Sequence, residues 1–183
     1  MRIFLDACVL FPTVTREMLL GVAWAGVFEP QWSPRVLEEW ARATLKIGPE
    51  AEVFARGEIA LLRAAWPRAE VEPTPGLQAR LWLPDDNDIH VLTAAIVGSA
   101  DAIMTVNAKD FPRNILAEEG LSRIDPDGYL YQVWQSSPEI VSSVAEKVLA
   151  TARELSGEDW QMRSLFKKAR LPRVGKVLSL GSI

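Results

Sequence analysis

The apolar positions of this chain follow two alternating rhythms, short continuous runs and a helical spacing of three to four. Ile3-Phe4-Leu5 is a continuous run ending in Asp6, the form of a strand buried on both faces whose last position carries an acid. Residues 15–28 predict a helix with Met18, Leu19, Val22 and Val27 on one broad apolar face, stopped by Pro30. Ser33-Pro34 is a helix start, a hydroxyl N-cap followed by proline at the first helical position. The helix it opens sets Val36, Leu37, Trp40, Thr44 and Leu45 toward a core, and a third helix is predicted over 50–66.

Prolines at 67, 73, 75 and 84 mark residues 67–86 as loop, with a short strand near 69–71. Asp85-Asp86-Asn87-Asp88 then opens a helix that runs through Val97, with Ile89, Leu92 and Ile96 at helical spacing and Gly98 at its end. A strand follows over 101–106, a loop over 107–112, and a last short strand over 122–124. Alternating strands and helices predict an α/β fold with a central parallel sheet covered on both sides. Beyond Asp125 the pattern is helical only, over 129–134, 138–155 and 159–170. The simplest division is an α/β domain over 1–135 with a helical C-terminal extension over 136–183.

Composition narrows this picture at three points. With 49% apolar and 24% charged residues over 183 positions, the chain has an ordinary globular balance and is not disordered. Cys8 is the only cysteine, which excludes an intrachain disulfide, gives no zinc-ligand spacing and fits a reducing cytoplasm. No secretory apolar segment precedes Asp6 and no run of 18 uncharged apolar residues occurs, so the expectation is a soluble cytoplasmic protein with no membrane partner. The net charge of −4 hides an asymmetry: residues 1–159 carry all 24 acids against 14 basic residues, and residues 160–183 carry six basic residues and no acid.

The candidate chemistry lies in carboxylates. Asp6 and Asp110 each follow a predicted strand closely, and Asp88 opens the helix that feeds the second of these strands. In an open parallel sheet, ligands bind beyond the carboxyl ends of the strands. Acids that converge there repel one another and stay ionised together only with a cation between them. An all-oxygen ligand set selects hard ions such as Mg²⁺ or Mn²⁺, and suits in-line attack of an activated water on a phosphodiester. Each acid also has a structural reading: Asp85 and Asp88 as helix caps, Asp110 as a turn acid before Phe111-Pro112. Helical periodicity does not separate Glu38 from Glu39. Asp6 is harder to explain as a structural residue, because an acid directly after a buried strand has no local task.

Four segments resemble the motifs of PIN domains. Leu5-Asp6-Ala7-Cys8-Val9-Leu10 resembles the opening motif, in which an Asp is usually followed two positions later by Asn. Ser33-Pro-Arg-Val-Leu-Glu-Glu-Trp40 resembles the second, whose register selects Glu39 over Glu38. Leu83-Pro-Asp-Asp-Asn-Asp-Ile-His90 and the apolar run after it resemble the third, with Asp88 as its acid. Ala102-Ile-Met-Thr-Val-Asn-Ala-Lys-Asp-Phe-Pro112 resembles the fourth, with Asp110 as its acid. The match covers roughly residues 1–125, in order and at the family's spacings.

The resemblance implies a Rossmann-like three-layer fold and a divalent-metal site with Asp6, Glu39, Asp88 and Asp110 as ligands and catalytic acids. It also implies a cofactor, Mg²⁺ or Mn²⁺, and supporting or substrate-binding roles for Thr105, Asn107 and Asp85. The activity implied is that of an RNA-cleaving endonuclease. Similarity to VapC-type toxins further implies a cognate antitoxin partner and a possible homodimer. Cys8 departs from the common Asn, and Asn107 stands where many relatives carry another Asp. Three rivals remain: a PIN nuclease of RNA processing or of DNA without an antitoxin, a non-catalytic PIN module binding RNA or protein, and an Asp-based phosphatase or phospho-receiver domain. The last expects Asp-x-Asp after the first strand, where this chain has Asp6-Ala7-Cys8. His90 reads as a structural histidine or a water-activating one, and Cys8 as a small filler without a histidine partner. Arg163, Lys167, Lys168, Arg170, Arg173 and Lys176 read as a solvated helix face, an RNA-backbone contact or a docking surface for an acidic partner.

Overall fold

Ile3, Phe4 and Leu5 are fully buried in the computed structural model, which describes residues 1–180, and they form the strand on which the sheet is built. In chain order the elements are β1 (Arg2–Leu5), α1 (Ala7–Leu10), α2 (Thr13–Trp24), β2 (Glu29–Gln31), α3 (Pro34–Thr44), α4 (Pro49–Ala65) and α5 (Pro75–Gln78). A 3₁₀ turn (Asp86–Asp88) then leads into α6 (Ile89–Val97), β3 (Ala102–Met104), α7 (Arg113–Glu118) and β4 (Ser122–Ile124). The remaining helices are α8 (Pro126–Ser136), α9 (Pro138–Ser156), α10 (Met162–Lys168) and α11 (Pro172–Leu180). These elements divide into two compact units, residues 1–11 with 29–124 and residues 12–28 with 125–183. By contacts α2 belongs to the second of these units, with the C-terminal helices.

In the first unit the four strands are parallel in the order β2-β1-β3-β4 and are flanked by helices. The two central strands are buried along Ile3–Leu5 and Ala102–Met104, the continuous apolar run that a strand covered on both faces requires. β2 was not foreseen, because Pro30 reads as a break; it is an edge strand, where a missing N–H is tolerated. Residues 69–71 contribute only a single bridge, Trp32 to Glu70. α3 begins as expected, with Ser33 Oγ accepting from Val36 N at 3.2 Å, while Leu45 lies past its end and is exposed. Gly98 does not end α6 by a left-handed turn (its φ is −73°). A Cβ there would lie 2.6 Å from Gln31 Oε1, so a larger residue would displace the Gln31 amide, whose Nε2 donates to Gly98 O at 2.9 Å.

The second unit is helical, built from α2 and α8 to α11. α2 stops at Trp24 and not at Phe28, and Gly26 turns the chain at φ +83°. The stretch expected as one helix over 159–170 is shorter, and a further helix, α11, follows Arg170 at φ +60°. Buried Asp127 starts α11, its carboxylate accepting from Arg173 N and Val174 N at 3.1 Å. The six basic residues from Arg163 to Lys176 are exposed and form no ion pair among the described residues, though Lys168 Nζ sits 4.6 Å from the centre of the Trp160 ring. No helix among the described residues is long and apolar enough to cross a membrane.

Candidate metal centre

The chain steps from β1 to β2 on one side and then crosses to β3 on the other, so the strand order reverses between β1 and β3. A crevice opens at such a point beyond the carboxyl ends of the strands. Asp6 and Thr105 are the first residues past β1 and β3, and Asp6 N still donates to Met104 O at 3.1 Å. Asp6 occupies the N-cap position of α1 but its side chain makes no cap bond. The buried carboxylate instead accepts at Oδ2 from Thr105 Oγ1 at 2.7 Å and from Cys8 Sγ at 2.9 Å. Thr105 Oγ1 also accepts from Asn107 N at 3.0 Å, which ties the loop after β3 to the same group. Burial, then the charge of Asp6, pushes the Cys8 thiol up to about 12. Cys8 is therefore a protonated donor to Asp6 at neutral pH, a polar role that its reading as a filler did not include.

Asp85, Asp88 and Asp110 form the acidic cluster, each offering one carboxylate oxygen within 4.8 Å of the others. All three side chains are partly buried. Asp85 caps the 3₁₀ turn, its Oδ1 accepting from Asn87 N at 2.9 Å and Nδ2 at 3.0 Å, and it belongs to the cluster as well. Asp88 Oδ2 accepts from Asn107 Nδ2 at 3.3 Å. Burial, followed by the charges of Asp6, Asp85 and Asp110, pushes the Asp88 carboxyl up to about 6, with His90 acting in the opposite direction. Two carboxylates at this spacing repel by about 3 kcal/mol at an effective dielectric near 20. A cluster of oxygens under that repulsion fits a hard divalent cation, so the three acids could hold a metal ion.

Glu39 stands to one side of this group. His90 Nε2 lies 3.0 Å from Glu39 Oε1, and Arg35 Nε donates to the same oxygen at 3.1 Å. Neither ring nitrogen of the buried His90 makes a well-aligned hydrogen bond, although Nε2 is within hydrogen-bond distance of the Glu39 carboxylate. Burial of Glu39 works to raise its carboxyl, but His90 and then Arg35 outweigh it and hold the group below its ordinary value. Glu38 faces elsewhere, bound by Arg42 at 2.8 Å and by Arg56 at 2.9 Å and 3.1 Å. Of the four acids expected as ligands, the structure thus gathers Asp88 and Asp110, joined by Asp85. Asp6 lies near enough to act on Asp88, and Glu39 is held by His90 and Arg35. Arg35 was not singled out from the sequence; its signal was the four-residue spacing to Glu39 on the helix that Ser33 opens. Compared with known proteins, the chain matches no protein-family model, no curated protein and no solved structure.

Proposed function

We propose that the chain is a PIN-type endoribonuclease that hydrolyses RNA phosphodiester bonds with Mg²⁺ or Mn²⁺. The observation that carries this reading is the cluster of Asp85, Asp88 and Asp110 beside Asp6, at the point where the order of a parallel sheet reverses. Asp85, Asp88 and Asp110 hold the ion. When bound, such an ion polarises a phosphoryl oxygen and lowers the pKa of a water. Both hydrogen bonds to the Asp6 carboxylate fall on Oδ2, so Oδ1 keeps its lone pairs for a ligand or a water. Thr105 and Asn107 fix Asp6 and Asp88 in place from the loop after β3. Glu39, kept ionised by His90 and Arg35, supplies a further carboxylate at the edge of the site.

The resemblance to VapC-type toxins extends the proposal to the toxin of a toxin–antitoxin pair in the cytoplasm, with a small antitoxin as partner and a homodimer as the assembly. A second reading, a non-catalytic RNA- or protein-binding module, is favoured by the Cys8 thiol that occupies Asp6 Oδ2. One assay separates the two: the purified chain is incubated with single-stranded RNA in Mg²⁺, in Mn²⁺ and in EDTA. The proposal expects cleavage in either ion, none in EDTA, and loss in Asp110→Asn. RNA binding without cleavage in any ion, with cleavage gained by Cys8→Asn, supports the module instead.

A further inference from the structure

Asp6, Asp85, Asp88 and Asp110 together carry more negative charge than one divalent ion neutralises, so a cation of the protein beside the cluster would favour the approach of a phosphate. Arg35 occupies such a place against local preference. It is the second residue of α3, at the end of a helix where the dipole disfavours a cation, and no acid stands in that first turn. Its ion pair with Glu39 runs from Arg to Glu at i,i+4, the weaker order. Glu38 and Arg42 on the same helix take the stronger one. A residue that breaks two local rules is a place to look for a role beyond the helix.

What Arg35 gains is a fixed position beside the acidic loop. Nε donates to Glu39, and Nη2 donates to Asn87 O at 3.2 Å, the carbonyl of the residue between Asp86 and Asp88. A guanidinium has five N–H donors, so three remain, on a side chain 48% exposed. Two anchors on different elements hold a planar fork at the rim of the cluster, the arrangement that suits bidentate contact with a phosphate oxygen pair. We propose that Arg35 binds a backbone phosphate of the substrate RNA and sets it over the acidic cluster, an inference that rests on the nuclease reading.

The test measures binding of a fluorescein-labelled single-stranded RNA over a salt series in Ca²⁺, alongside cleavage in Mn²⁺. Arg35→Gln is expected to weaken binding about 10-fold and to lower the slope of log K against log salt by about 0.7, one contact on a single strand. Arg35→Lys is expected to restore the slope but not the full affinity, since a point charge lacks the fork. Arg56→Gln, which removes an exposed arginine paired with Glu38 and Glu52, is expected to change neither. Unchanged affinity and slope in Arg35→Gln, with cleavage by the wild type intact, would overturn the inference and leave the nuclease standing. A lower melting temperature at an unchanged slope would make Arg35 a structural ion pair only and overturn it equally. A wild-type chain that neither binds nor cleaves RNA would remove both.

Discussion

Asp88 is the residue on which burial and three neighbouring carboxylates act in one direction, and its proton is open to measurement. The folded protein holds that proton up to about 6, whereas the unfolded chain releases it near 3.8. Between these values the folded state binds more protons, so stability falls as pH rises through the window. Asp88→Asn removes the charge and should flatten this fall, making the metal-free protein about 1 kcal/mol more stable near neutral pH after screening at a partly exposed site. Urea unfolding of both proteins from about pH 4 to about pH 8 checks it, and parallel profiles would count against the cluster. Glu39 and Glu38 give a second comparison. Glu39→Gln should abolish metal-dependent RNA cleavage, while Glu38→Gln should keep it and change stability by no more than about 0.5 kcal/mol, as for most surface ion pairs. Equal losses of cleavage from both would contradict the assignment. At this scale the sequence made Asp6, Asp88 and Asp110 legible because each sits at a fixed offset from a strand or helix. It under-read Asp85, whose capping bond to Asn87 is a complete local explanation. Cys8 was under-read because the turn that brings its thiol back onto Asp6, two positions earlier, and onto Thr105, 97 positions away, has no apolar period to reveal it.

Among the elements, those long enough to repeat their apolar spacing were legible and the short ones were not. α3, α4 and α9 begin where Ser33-Pro34, Pro49 and Pro138 allow, because a proline at the first turn acts locally. α1, α5 and α7 are four to six residues long, less than two turns, and have no period to read. α11 depends on Asp127, a cap 46 residues away from Arg173, which no local pattern reveals. Packing partners were equally hidden, as at Gly21 of α2, where a Cβ would meet Val144 Cγ1 of α9 at 2.5 Å. Helix propensity favours alanine there by about 1 kcal/mol, and the clash opposes it by about 1–3 kcal/mol. Gly21→Ala should therefore lower stability by about 1 kcal/mol in the wild type and raise it in a Val144→Ala background. Thermal unfolding of the four proteins tests this coupling, and the same sign in both backgrounds would contradict it.

For the whole molecule, the sheet was legible as a class and its grouping with the helices was not. Continuous apolar strands separated by helices imply a parallel sheet, and the strand order β2-β1-β3-β4 brings the two central runs together. Periodicity identifies the apolar face of α2 but not that α9 packs against this helix. The same order places Asp6 where the strand order reverses, and the loops before α6 and after β3 bring Asp85, Asp88 and Asp110 together. The central claim is that this cluster holds a divalent cation. Thermal unfolding across a Mn²⁺ series, repeated with Mg²⁺ and with EDTA, tests it most directly. One site predicts a gain of about 1.4 kcal/mol per tenfold rise in ion concentration above the dissociation constant, reversed by EDTA. Asp85→Asn and Asp110→Asn should each weaken that gain while keeping the fold. A melting temperature that ignores Mn²⁺, Mg²⁺ and EDTA in the wild type would contradict the account.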